Sequence, residues 1–323
     1  MTKHTPITPP ADKSGSLFER ADAAFGLEGL GPSKVPSDLP PQKPRQAAPE
    51  APQAPAQISH EVKPAPAQET ERETQEPRVA LTGPSVTIDR EALRENGLID
   101  PEEPVTGLLE EFRIIKRELL AGARRSQKGA ARRILLSSPH EGEGKTFCAA
   151  NLAIALSAER DIEVVLIDAD VMNPSITRVF GLEETPGFMD ALADESQSPE
   201  ALALKTDIDG LFIMPAGRSS VRDTEYLASA RTEEVLKRLT RGAPNRFVIF
   251  DTPPALAASP AAELAAFVGQ ALLVVRADET SRAAIDDAQQ LLSACPNLKL
   301  LLNAAKFSPS GRRFGDYRQG ESS

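Results

Sequence analysis

Ser137-Ser138-Pro139-His140-Glu141-Gly142-Glu143-Gly144-Lys145-Thr146, followed by Phe147-Cys148-Ala149-Ala150-Asn151-Leu152-Ala153, joins the apolar run Arg133 to Ser137 to a good helix opening. Strand, glycine turn, Lys-Thr and helix are together what a triphosphate requires. Bare backbone N–H groups and a helix N-terminus surround phosphate, a lysine offsets its charge, and a hydroxyl meets Mg²⁺. The strict G-x-x-x-x-G-K-[ST] pattern fails at its first glycine, where Pro139 stands, but Gly142, Gly144, Lys145 and Thr146 keep the part that wraps phosphate. A mere left-handed turn before a helix does not account for the flanking strand and helix.

Working outward, apolar runs predict strands at Arg133 to Ser137, Val164 to Asp168, Gly210 to Met214, Phe247 to Asp251, Ala271 to Val275 and Leu298 to Asn303, with helical stretches between nearly all of them. Continuous apolar strands alternating with helices predict an α/β domain, a mostly parallel sheet covered by helices on both faces. Two of the strands end in carboxylates, Asp168-Ala169-Asp170 and Asp251-Thr252-Pro253-Pro254, at the edge where the ligand crevice of such a sheet lies. Each aspartate alone could be a turn residue or a helix cap. Three of them opposite a Lys-Thr loop predict Mg²⁺-nucleotide, since that metal prefers hard oxygen ligands and retains water.

The flanks read differently. Of the 28 prolines, fifteen precede residue 85, in a Pro/Ala/Gln/Glu-rich stretch with little to bury. Residues 1–85 are therefore expected to be a disordered tail, interrupted by a short amphipathic, docking-type pattern at Ser16 to Leu27. Order is expected from about Val86. Residues 86–130 are read as an extended segment and an oligomerisation-type helix, 131–305 as the nucleotide domain, and 306–323 as a flexible tail. Thr106 to Ala123 places Leu109, Phe112, Ile115 and Leu119 on one stripe, and Arg124 to Arg133 is a basic connector, read as a solvated charge run or, more sharply, a phosphate or lipid-headgroup contact. Tyr226 is placed in a helix running from Glu225 to Arg241.

Lys+Arg 37 against Asp+Glu 47 gives a net charge of −10, which does not favour nucleic acid or an anionic membrane as a general partner. The two cysteines, Cys148 and Cys295, have no metal or redox spacing and fit a reducing compartment. The longest apolar candidate, Leu264 to Val275, is too short to span a bilayer and is interrupted by Gly269 and Gln270. A cytoplasmic protein is the expectation.

At these residues the chain resembles the bacterial tyrosine kinases, whose ATPase domain belongs with the septum-positioning and partition ATPases to the deviant P-loop group. It is most similar to the cytoplasmic autokinases of exopolysaccharide loci, particularly the exosortase-associated branch. The resemblance covers roughly Val86 to Lys306 and rests on Val86-Thr87-Ile88-Asp89-Arg90, Glu111-Phe112-Arg113, Gly142 to Thr146, Asp168-Ala169-Asp170-Val171 and Asp251-Thr252-Pro253-Pro254. It implies a P-loop NTPase fold using ATP and Mg²⁺. Gly142, Glu143, Gly144, Lys145, Thr146 and Phe147 would line the nucleotide, with Asn303 as an adenine contact or a plain strand-ending residue. Lys145, Asp168, Asp170 and Asp251 would be the catalytic set, and Thr146, Asp168 and Asp251 the metal set; the base is left open between Asp168 and Asp170.

The resemblance further implies a homo-oligomer built through the Glu110-x-x-Arg113-x-x-Lys116 helix, in which Lys116 replaces an arginine. Its partner would be a separate transmembrane co-polymerase-type activator that recruits the kinase to the inner face of the plasma membrane, with no nucleic acid involved. Three departures stand out. His140 holds the place where partition-type ATPases carry an additional lysine, Met172 and Asn173 stand where the kinases often have an arginine, and the chain has only two tyrosines. Tyr317 is the autophosphorylation candidate. Two other readings are an ATP-gated assembly module with little kinase output and a partition- or positioning-type ATPase.

Overall fold

The computed structural model describes residues 77–126 and 128–305. The expected helix at Ser16 to Leu27, nearly all of the Pro-rich segment and Tyr317 lie outside the described residues.

The sheet comprises β1 (Ser85–Val86), β2 (Arg133–Ser137), β3 (Glu163–Asp168), β4 (Leu204–Thr206), β5 (Leu211–Met214), β6 (Arg246–Asp251), β7 (Gln270–Arg276) and β8 (Leu298–Asn303). Their order is β1-β4-β5-β3-β6-β2-β7-β8, and every pair is parallel except β4 with β5. All six expected strands form, with ends within a residue of the reading. The short strands β1 and β4 are additions.

Alternation along each strand divides the core. Ile134, Leu136, Val164, Leu166, Ile249 and Val274 face one layer, which also holds α1 (Arg90–Glu95), α2 (Gly107–Ser126), α3 (Lys145–Ser157) and α4 (Ile176–Val179). Leu135, Val165, Ile167, Phe250 and Val275 face the other, with α5 (Phe188–Ala193), α7 (Asp223–Leu227), α8 (Ala230–Thr240), α9 (Pro260–Ala265) and α10 (Arg282–Leu291); the one-turn α6 (Pro199–Leu202) precedes β4. With both faces covered, the strands can be apolar throughout. Among the described residues no helix is long and apolar enough to cross a membrane.

Three expectations are corrected. The helix expected from Glu225 to Arg241 is two helices, because Thr232 Oγ1 donates to the carbonyls of Tyr226 and Leu227 and ends α7 there. Arg133 leaves the basic connector: it is buried and donates to Glu233 at 2.6 Å and to the Phe267 carbonyl at 3.2 Å. Packed structure also begins before Val86. Arg246, only 2% exposed, donates to the Val79 carbonyl at 3.0 Å, to Leu239 O at 2.5 Å and to Glu163 Oε2 at 2.8 Å, and Arg78 also pairs with Glu163. A buried guanidinium needs acceptors on every side, and residues 78 and 79 complete its set.

Burial would raise the Glu163 carboxyl, but its hydrogen bonds from Arg78 and Arg246 hold it below the usual range. Its contribution is therefore present at neutral pH and is lost as pH falls through that lowered value. Arg246→Ala leaves Glu163 with Arg78 alone and strands two carbonyls, and should cost about 2–4 kcal/mol in urea denaturation at pH 7, with amide-exchange protection at Val79 lost as well.

Candidate nucleotide site

Chain order sends β2 to β3 through α3, while β6 lies between them in the sheet, so the crevice opens at the carboxyl ends of β2, β3 and β6. The loop from Ser138 to Gly144 leaves β2 at this edge and enters α3 directly. Gly142 and Gly144 have φ of 80° and 93°, the left-handed region that suits glycine. A Cβ at Gly144 would also stand 2.1 Å from Asn303 Nδ2.

From the first turn of α3, Lys145 Nζ lies 2.9 Å from Asp170 Oδ2 and Thr146 Oγ1 donates to Asp251 Oδ2 at 2.6 Å. Asp168 and Asp251 are register partners on adjacent strands and both are fully buried. Their surroundings separate their roles. Asp168 accepts three backbone N–H groups, from Asp170 at 3.1 Å, Ser175 at 2.8 Å and Ile176 at 2.9 Å, so its carboxylate folds the loop into α4. Asp170 spends one oxygen on the Asn173 N–H and the other on Lys145. Asp251 Oδ1 is buried without a hydrogen-bond partner.

Burial pushes Asp251 up to about 7, with Asp168 and Asp170 adding to the rise and Lys145 and Thr146 opposing it. Burial likewise pushes Asp168 up to about 6 against its three backbone donors. Lys145 is raised: burial acts to lower it, and the carboxylates of Asp251, Asp170 and Asp168 prevail. Cys148, one turn on, is pushed up to about 12 by burial, which makes it a packing thiol.

The orphaned Asp251 oxygen beside the Thr146 hydroxyl is the donor set that a small hard cation with retained waters would use, so these residues fit Mg²⁺. Among the described residues no cluster of three or more His, Cys, Asp or Glu forms a metal cage by itself.

The side chains of the other expected residues make the following contacts. Glu143 turns one carboxylate oxygen back to the His140 N–H within the loop and the other out of it to the Thr280 hydroxyl. Phe147 packs its ring edge-on against Phe112, with centroids 6.4 Å apart, so only its backbone faces the loop. Asn303 donates to the Glu143 carbonyl at 2.8 Å and accepts from the Ala304 N–H. His140 and Met172 are exposed. Glu110 and Arg113 pair with each other on α2, whereas Lys116 is buried, donating to Ala155 O and pairing with Glu159 at 2.8 Å each, where it caps α3. Sequence reasoning missed Ser175, 3.1 Å from Thr146 Oγ1, and the Arg276 and Thr280 contacts to the loop. Asn173-Pro174-Ser175 and Thr280-Ser281 carried helix-start signals that could have drawn attention to them.

The ParA family model, described as NUBPL iron-transfer P-loop NTPase, matches residues 129–299. The chain is 29% identical over 223 residues to "Tyrosine-protein kinase YwqD" of Bacillus subtilis, covering 68% of this chain and 91% of that one. It is 31% identical over 147 residues to "Tyrosine-protein kinase ptk" of Acinetobacter johnsonii, covering 46% and 20%. It thus spans almost all of the first relative's length and a fifth of the second's. The solved kinase domain of the Escherichia coli tyrosine kinase ETK superposes with a TM-score of 0.54 at 21% identity, covering 72% of this chain and 93% of that one, which shows a shared fold.

Asp251→Asn removes the charge that burial disfavours. An acid whose folded value is raised contributes stability at low pH and loses it as pH climbs from its ordinary value near 4 through about 7. Without ligand the wild type should therefore lose of the order of 2 kcal/mol relative to the Asn variant between pH 5 and pH 8 in chemical denaturation, while the variant binds Mg²⁺-ATP at least about tenfold more weakly.

Proposed function

The chain belongs to the ParA family of P-loop NTPases and to its bacterial tyrosine kinase branch, and from that premise we propose that it is an ATP-dependent protein-tyrosine autokinase that regulates exopolysaccharide or capsule biosynthesis or export. The observation that carries the proposal is the pairing of Lys145 with Asp170, 2.9 Å apart at the sheet edge beside Asp251 and Thr146.

Phosphoryl transfer asks mainly for position and charge neutralisation. Lys145 and the bare N–H groups of Gly142 to Thr146 bind and orient the phosphates. Thr146 and Asp251, with Asp168 behind them, would hold Mg²⁺, which would supply charge neutralisation for the phosphates. When Lys145 moves from Asp170 to phosphate, Asp170 is left with an unpaired oxygen that can take the phenolic proton. The tyrosine oxygen then bonds to the γ-phosphorus as the bond from that phosphorus to the bridging oxygen breaks, and ADP leaves with the electron pair. Asp168, saturated by three backbone donors, is a positioning residue here. These contacts favour Asp170 over Asp168 for the base role.

Tyr226 is half-buried against the core, which leaves Tyr317 as the acceptor within the chain, reached in trans within an oligomer. Glu110 and Arg113 remain on the surface of α2 for that assembly, and Lys116 contributes by fixing α2 to α3. A separate transmembrane activator would bring the kinase to the inner face of the plasma membrane. Mass spectrometry after incubation with ATP and Mg²⁺, with the activator's cytoplasmic peptide, should find phosphate on Tyr317 that disappears in Lys145→Ala and falls by at least ~100-fold in Asp170→Asn. Nucleotide binding with no phosphotyrosine would instead make the protein an ATP-gated assembly module.

A further inference from the structure

Resting on the reading of Ser138 to Thr146 as a phosphate loop, we infer that Glu143 is a positioning residue, which latches that loop to the turn between β7 and α10 and so aims its amides at phosphate. Glu143 is 5% exposed although Glu141 and Gly142 before it are exposed. A carboxylate this close to a triphosphate would repel it, unless the charge is turned away and used elsewhere. Here Oε2 accepts the His140 N–H at 2.8 Å and Oε1 accepts the Thr280 hydroxyl at 2.5 Å. Thr280 Oγ1 itself accepts the Arg276 N–H at 2.8 Å, which leaves its proton directed at Glu143.

The backbone around this carboxylate is tied in the same direction. Arg276 Nη1 donates to the Gly142 carbonyl at 3.2 Å and Asn303 Nδ2 to the Glu143 carbonyl at 2.8 Å. In a trans peptide the N–H of the following residue points opposite to the carbonyl. With both carbonyls drawn toward the ends of β7 and β8, the N–H groups of Glu143 and Gly144 point the other way, into the loop's concavity. Among the described residues neither N–H meets a protein acceptor. Two free amides held outward by a buried carboxylate, an arginine and an asparagine form a nest shaped for an anion. The turn Arg276-Ala277-Asp278-Glu279-Thr280, with no motif of its own, thereby becomes part of the nucleotide site.

The test is calorimetric titration of the full chain with Mg²⁺-ATP, together with the melting temperature measured without nucleotide, for wild type, Lys145→Ala, Glu143→Gln, Glu143→Ala, Thr280→Val and the double variant Glu143→Ala with Thr280→Val. Glu143→Ala should weaken ATP binding by roughly the 10- to 100-fold that outer-shell supports of ligand sites supply, with its unliganded melting temperature unchanged. Glu143→Gln should fall between, because its amide oxygen still accepts from Thr280 while its NH₂ group opposes the His140 N–H. Adding Thr280→Val to Glu143→Ala should weaken binding by less than about twofold more, the mark of one shared latch. The inference is overturned if Glu143→Ala binds ATP as wild type does, if the two substitutions multiply independently, or if affinity falls only in step with melting temperature, as for a general brace. A wild type that binds no better than Lys145→Ala would overturn the phosphate-loop reading itself, and this inference with it.

Discussion

Two carboxylates set side by side at the end of adjacent buried strands are the constraint around which the structure is arranged. Asp168 and Asp251 are register partners of β3 and β6 with no exposed surface. Neither water nor distance relieves their repulsion. Relief comes from groups delivered by α3: the Lys145 ammonium and the Thr146 hydroxyl, side by side because they open one helix. The parallel sheet makes this meeting possible, since β2, β3 and β6 all point their carboxyl ends at one edge. The neutralisation stays incomplete. Asp168 is satisfied by three amides, Asp170 by the lysine, and Asp251 keeps one orphaned oxygen. A cation and a polyanion would complete what the fold leaves open.

The sequence made this centre legible because its parts obey strong local rules. A glycine turn followed by Lys-Thr can be read without knowing what lies opposite, and an apolar run ending in Asp marks a strand's carboxyl end wherever the strand sits in the sheet. Six strands were readable for the same reason. The strands β1 and β4 were not, because two or three residues carry no period and pair only once β5 exists. The break between α7 and α8 was hidden because Thr232, which makes it, is an unremarkable residue within a helical pattern.

Long side chains were the hardest to place. Lys116 and Arg133 read as surface cations, yet each is buried with its charge on a helix-end carbonyl or a glutamate from a distant segment. Their burial is decided by tertiary acceptors, of which Glu233 lies 100 residues away in sequence. The same limit applied to Glu143. Its position inside the motif suggested nucleotide, whereas its partner Thr280 lies 137 residues away.

The two ends of the sheet differ in how fully their charges are satisfied, and this difference separates stability from activity. At the amino end of β3 and β6, Glu163 and Arg246 are matched by Arg78 and by the carbonyls of Val79 and Leu239. That end is closed by the chain itself, and its carboxylate is held below the ordinary range. At the carboxyl end of the same two strands the carboxylates are raised instead. The strands are continuous, with Glu163 paired to Arg246 at one end of the register and Asp168 to Asp251 at the other. A satisfied end can therefore support an unsatisfied one across a six-residue span that is buried except at Glu163. Free energy withheld at the carboxyl edge is available to ligand binding, because the amino edge keeps the fold from relaxing to recover it.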